Sequence, residues 1–339
     1  MNKAQQWLGG ILAAQVLLGA GLLFGSGGQE GSTPEPLFGF AVDSVDRLVI
    51  SSVDDSTSLR KSSGQWQLQE HALPAIGTKA QGLLDNLAGL ETAWPVADTA
   101  SSRERFEVSE KKFQRRLQLY QGERLLGEYY FGTSPGFRRT HGRRAGEDEV
   151  YSLAFNNVDL PAAEADWLDK TLLALNEPTR IQGPDFVLAR DGTEWKLEPA
   201  EGEEAAAELN RSKVDNLVSA FDNLRIQRRA ELPPAEDSTE PEVWDFEVVD
   251  ADGTWQYRFT RAGDTRLAKR QDRELHFAVG SYDFDRIAGI TRQDLVVAPA
   301  EPAAEAGEAD PSEAGDESPL AAADDSGSAA APEEGSVDN

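Results

Sequence analysis

The chain has 339 residues, with 33 Lys and Arg against 60 Asp and Glu, and so a formal net charge of −27. That excess of acid argues against direct nucleic-acid binding, because neutralising phosphates takes a basic face. Cysteine is absent, which excludes disulfides, thiolate metal sites, iron–sulfur clusters and thiol nucleophiles.

Trp7–Phe24 is 18 residues without a charge. As a helix it would measure about 27 Å, close to the ~30 Å of a hydrocarbon core. Lys3 and the α-amino group precede it, and Glu30 and Glu35 are the first charges after it. Positive-inside asymmetry then predicts residues 1–6 in the cytoplasm, a single-pass inner-membrane anchor over 7–24, and the rest of the chain in the periplasm. A cleaved signal peptide is the competing reading. Against it, the apolar run exceeds the usual ~7–15-residue core, and Gly25–Gly28 offers no Ala-x-Ala site. Residues 25–39 are rich in Gly, Ser and Pro and are expected to form a flexible linker.

An internal repeat follows. Leu59–Leu68 (LRKSSGQWQL) and Leu188–Leu197 (LARDGTEWKL) each read as a strand, a polar Gly turn and a strand carrying Trp66 or Trp195. Each hairpin is followed by a helix pattern, Lys79–Leu90 and Lys213–Leu224. Leu83, Leu84, Leu87 and Leu90 make one apolar stripe, matched by Leu217, Val218, Phe221 and Leu224. The offset between copies is 129 residues at the hairpin and 134 at the helix, so the second copy holds a five-residue insertion between them. Strand pairs are expected at Phe113–Tyr120 with Arg124–Phe131 and at Val243–Val249 with Trp255–Phe259. Shorter strands are expected at Glu149–Leu153 and Leu275–Val279, and a closing helix at Ala163–Leu175. The predicted fold class is α+β, with two tandem similar modules of antiparallel sheet plus helices at 40–176 and 177–297. The last segment, 298–339, has 12 acidic residues and no Lys, Arg or aromatic, and is expected to be an acidic disordered tail.

Catalytic signals are weak. Gly132-Thr-Ser-Pro-Gly136 fits a nucleophile-elbow pattern, but Pro135 has no N–H to offer an oxyanion and no helix period follows, so it reads as a turn. His71, His141 and His276 sit among polar neighbours and read as surface or loop residues. Trp66 and Trp195 read as core anchors. No carboxylate pair stands out among 60, and no cofactor or metal site is expected.

Two basic segments stand out instead. Arg138, Arg139, Arg143 and Arg144 fall within seven residues, and Arg266, Lys269, Arg270 and Arg273 occupy a comparable place in the second copy. Guanidinium groups suit phosphate and carboxylate, so these eight are candidate residues for an anionic ligand or a partner surface. The plainer reading pairs them with the surplus Asp and Glu.

The order of these features resembles the domain-of-unknown-function family numbered 4340. It runs from an N-terminal anchor through Val45–Ile50, the Leu59–Leu68 hairpin, the Lys79–Leu90 helix, Leu126–Gly132 and the Arg-rich segment before Val150-Tyr151 to Trp167–Leu173. The resemblance would cover residues 40–296. It implies a membrane-anchored, repeat-containing bacterial protein associated with ABC transporters of the gliding-motility type, and it carries over no catalytic residue. The expected function is therefore a non-enzymatic periplasmic accessory or scaffold protein, with transporter permease and ATPase subunits as partners. A binding module for an anionic envelope glycan or lipid is one alternative, and an envelope glycan hydrolase is another.

Overall fold

In the computed structural model residues 34–199, 208–233 and 240–297 are described. The expected cytoplasmic start, the 7–24 anchor, most of the linker and the acidic tail lie outside these residues. No helix among the described residues is long and apolar enough to cross a membrane.

Two eight-stranded antiparallel sheets form the framework of the described residues. The first contains β1 (Arg47–Ser51), β2 (Ser56–Ser62), β3 (Gln65–Leu68), β4 (Leu73–Pro74), β5 (Arg115–Gln121), β6 (Arg124–Phe131), β7 (Thr140–Arg144) and β8 (Tyr151–Leu153). Their order in space is β8-β7-β6-β5-β1-β2-β3-β4. The second contains β9 (Arg180–Gln182), β10 (Val187–Asp191), β11 (Glu194–Leu197), β12 (Ile226–Ala230), β13 (Glu242–Val249), β14 (Thr254–Ala262), β15 (Thr265–Arg270) and β16 (His276–Val279). Its order is β11-β10-β9-β13-β14-β15-β16-β12. Seven strands thus repeat in the same spatial order, β3-β2-β1-β5-β6-β7-β8 matching β11-β10-β9-β13-β14-β15-β16. The odd strand lies at opposite ends, β4 beside β3 in one sheet and β12 beside β16 in the other.

Alternation explains the strands. Leu48 and Ile50 are buried in β1, Leu117 and Leu119 in β5, and Phe246 and Val248 in β13, while the residues between them are more exposed. The β2–β3 turn is Ser63-Gly64, both with positive φ (49° and 82°), as a two-residue hairpin turn requires.

Two equivalent helices cover the sheets. Helix α1 (Gly77–Ala88) buries Ala80, Leu83, Leu84 and Leu87, and a short α2 (Ala100–Arg105) follows it. Helix α3 (Arg211–Asp222) buries Val214, Leu217, Ala220 and Phe221, and its N-cap Asn210 accepts a hydrogen bond from the Lys213 N–H at 3.2 Å. The contiguous apolar core includes residues of both modules. The joint between them is also hydrogen-bonded: the Leu175 N–H donates to Phe221 O (3.1 Å) and the Tyr257 hydroxyl to Leu173 O (2.8 Å).

Two expectations are corrected. Ala163–Leu175 is not a helix; only Glu164–Asp166 forms a single 3₁₀ turn. Its backbone is used elsewhere, with the Ile76 N–H donating to Trp167 O, the Asp169 N–H to Pro74 O, and Leu168 bridged to Ala75. Tertiary pairing outweighs a helical propensity that favours each residue by only a fraction of about 1 kcal/mol. The linker expected over 25–39 is also too long. Glu35–Pro36 pairs with Glu91–Thr92, and Leu37 and Phe38 are buried at 1% and 5% exposure.

Candidate functional site

Each hairpin that carries a Trp stands beside the first turn of its helix, and each leaves a groove there. In the first module the groove is about 450 Å³ and includes Gln65, Trp66, Gly77 and Gln81 in its lining. In the second it is about 460 Å³, lined by Glu194, Trp195, Arg211 and Asp215 at the equivalent places. The hairpin and helix offsets of 129 and 134 residues put these side chains in register.

The grooves differ at the sheet edge. In the first module β4 closes the outer edge of β3, pairing Gln67 with Pro74 and Leu68 with Leu73, and the Ala75 N–H donates to Trp66 O at 3.0 Å. Trp66 is consequently only 5% exposed. In the second module the residues before the helix turn away. Leu209 is bridged to Val296, the Asn210 N–H donates to Leu295 O (2.9 Å) and the Val297 N–H to Glu208 O (2.8 Å). Among the described residues no strand pairs with the outer edge of β11. Trp195 is half-buried there and packs against the core from its margin, so the core-anchor reading fits Trp66 in full and Trp195 only in part.

The second groove also carries charge. Lys196 is paired with Asp191, a bond that holds the Asp191 carboxyl below its usual range, and Arg211 lies 3.8 Å from Glu194. Glu208 and Asp215 are exposed and have no ion pair among the described residues.

Of the eight basic candidates, Arg143 and Arg144 lie on β7 and Arg266, Lys269 and Arg270 on the corresponding β15, while Arg138, Arg139 and Arg273 lie in the adjoining loops, and they are not gathered into one cluster. Arg143 is 2% exposed and wholly committed: it donates to Val108 O (2.7 Å), Glu147 O (2.8 Å) and Glu110 Oε1 (2.7 Å). Arg144, its neighbour on β7 and therefore on the opposite sheet face, donates to Leu37 O (2.8 Å) and Pro36 O (3.0 Å), which fastens the segment before β1. Arg139 donates to the hydroxyl and carbonyl of Ser152. Arg138 is exposed, with its guanidinium over the exposed Phe137 ring. In the second module Arg270 makes a two-pronged pair with Asp272 (2.7 and 3.1 Å) and lies 4.4 Å from the Trp255 ring centre. Arg266 is 3.6 Å from Asp285 and Arg273 is 3.5 Å from Asp272. Lys269 sits opposite Arg258 in the β14–β15 register. Most of these cations therefore serve the fold.

The Gly132–Gly136 segment is a loop, as expected, with the Ser134 hydroxyl donating to the carbonyls of Gly136 and Arg139 (both 2.7 Å). Gly132 is required sterically, because a Cβ there would lie 1.9 Å from Phe106 O. His141 is corrected: it is 7% exposed on β7, stacked 4.0 Å from the Phe106 ring, and burial lowers its pKa. Asp222, at the end of α3, is a carboxylate pushed above its usual range, by burial first and then by Glu177; it lines neither groove. Among the described residues no cluster of metal-ligating side chains is present.

Sequence reasoning singled out the basic segments and passed over Glu208 and Asp215. The signal for the second groove was the five-residue insertion, which falls between β11 and α3.

A family model described as a domain of unknown function (DUF4340) matches residues 66–243, just over half of the chain and narrower than the expected 40–296. The match runs from β3 into the start of β13 and so includes residues of both modules. No curated protein and no solved structure matches the chain.

Proposed function

The chain belongs to the domain-of-unknown-function family DUF4340, a description that carries no reaction, and we propose that it is a non-enzymatic docking subunit. In this reading residues 7–24 hold it in the inner membrane, the two modules stand in the periplasm, and its partner is an ABC-type transport complex. One observation carries the docking role. The same groove, between a Trp-bearing hairpin and a helix N-terminus, recurs in both modules, and in the second copy no strand among the described residues pairs with the outer sheet edge. Sheet edges bind partners through main-chain hydrogen bonds, which needs no catalytic group. A membrane anchor would add to this by keeping the local concentration of a membrane-bound partner high. The Arg-rich strands support an anionic-ligand site less well, because Arg143, Arg144 and Arg270 already satisfy internal acceptors.

The test is co-purification of tagged full-length protein in mild detergent, with mass spectrometry of the material recovered. The expected result is an ATPase together with a multi-span permease, lost when residues 1–24 are replaced by a cleavable signal. Recovery of the protein alone overturns the reading.

A further inference from the structure

We propose that the outer edge of β11 is a strand-addition site for an extended, basic segment of a partner protein, an inference that rests on the docking role above. Three observations converge on it. The first is the backbone. The Glu198 N–H donates to Val187 O at 2.8 Å, and the register pairs Ala189 with Lys196 and Asp191 with Glu194. Antiparallel strands alternate hydrogen-bonded and non-bonded pairs, so the N–H and C=O groups of Trp195 and Leu197 face away from β10, toward the open edge. In the first module the corresponding Trp66 carbonyl faces the same way and accepts from the Ala75 N–H. The edge geometry is thus one this fold fills elsewhere with its own chain.

The second observation is the apolar floor. Trp195, Leu197, Leu209 and Val214 line the groove beside that edge. A partner strand would place every second side chain over it, since side chains alternate across a strand. The third is charge. Glu208 and Asp215 border the groove without ion pairs among the described residues, whereas Lys196 and Arg211 are both drawn to carboxylates. The balance selects a segment whose remaining side chains are Lys or Arg, and the acidity of the whole chain (−27) would steer such a segment in.

The experiment uses the full-length protein in detergent and, as probe, a hexapeptide alternating Val and Lys, read by calorimetry. Two controls accompany it: the Val/Glu counterpart, and the Val/Lys peptide N-methylated at alternate residues to remove its edge donors. Binding of the Val/Lys peptide is expected, with about tenfold weakening on N-methylation and weakening of similar size in a Glu208→Lys/Asp215→Lys variant, whose two positions are exposed. A second variant, Trp195→Pro, removes an outward N–H without touching the β10 pairing and is expected to weaken binding as well. Equal affinity for the methylated or the Val/Glu peptide overturns the proposal. So does slow hydrogen exchange at the Trp195 and Leu197 amides without peptide, which would mean that the edge is already filled. Full partner recovery by both variants overturns the strand site and leaves the docking role standing. Peptide binding by a protein that recovers no partner supports the site and removes the transporter reading.

Discussion

The two modules share seven strands in one order and differ in what happens next to the Trp hairpin. In the first, the chain leaving β3 folds straight back as β4, and Trp66 is sealed under it. In the second, the residues entering α3 pair with the end of the fold at Leu295–Val297, and β11 is an edge strand among the described residues, with Trp195 half-buried. Duplication can therefore keep a scaffold while changing a sealed edge into a usable one. The cost of the change is small, because loop insertions add closure entropy only slowly with length.

The largest test of this contrast is truncation of the two tryptophans. Trp66→Ala is expected to cost about 3–5 kcal/mol, as for a large side chain removed from a packed interior, and Trp195→Ala only about 1 kcal/mol. Midpoints of urea unfolding measure both. Equal losses would break the comparison and return Trp195 to the core.

Next in size is the comparison within the basic segment of β7. Arg143→Met would leave the carbonyls of Val108 and Glu147 without their donor and remove the pair with Glu110, at a cost of about 3 kcal/mol. Arg138→Gln, on the exposed loop, is expected to stay within about 0.5 kcal/mol. Thermal unfolding of the two variants separates a structural arginine from a surface one.

The turns of the central hairpins give the third test. In the first module the turn at Gly122 is held by Asp46, whose carboxylate accepts from the Gly122 N–H at 2.8 Å. In the second, Asp250 does this from within its own turn, accepting from the Trp255 indole and from the N–H groups of Asn176, Asp252 and Gly253. Burial pushes the Asp250 carboxyl up, but these donors outweigh it and hold the pKa below the usual value. A lowered folded-state pKa contributes stability above the unfolded value that is lost as the pH falls through the folded one. Asp250→Ala should therefore cost about 2 kcal/mol at neutral pH, and the gap to wild type should narrow below about pH 4. A gap that does not change with pH would show that the carboxylate charge is irrelevant.

The smallest effect has the opposite sign. Asp222 is raised by burial and by Glu177, so its contribution is present in full below the unfolded pKa and declines as the pH rises through the folded one. Asp222→Asn is expected to stabilise the protein by about 0.5 kcal/mol at pH 7, with the gain vanishing below about pH 4. Melting temperatures at two pH values suffice to check it.

Much of the scaffold was legible because it depends on local period. The β6 strand at Arg124–Phe131 and both long helices follow from spacing alone, to within two residues at each helix end. The segment from Ala163 to Leu175 was not legible, because the spacing of its buried Trp167, Leu168, Leu173 and Leu175 looks the same whether the chain is helical or pinned by distant backbone groups. In the sequence Arg143 and Arg144 belong to one group of four arginines within seven residues. The pleat sends them to opposite faces, one into a small apolar cluster around Tyr130 and the other to the segment before β1.

The sequence by itself determined the repeat, the strand and helix positions, the acidic balance and the lack of thiol chemistry, since composition and periodicity are properties of neighbouring residues. Only the tertiary structure decided which strand edge is sealed, which arginines are used up and which tryptophan remains half-open. The course of the chain beside β11 depends on backbone groups far apart in sequence, such as Glu208 with Val297, as does that of the segment after Ala163, where Trp167 meets Ile76, and no local pattern encodes such a pairing.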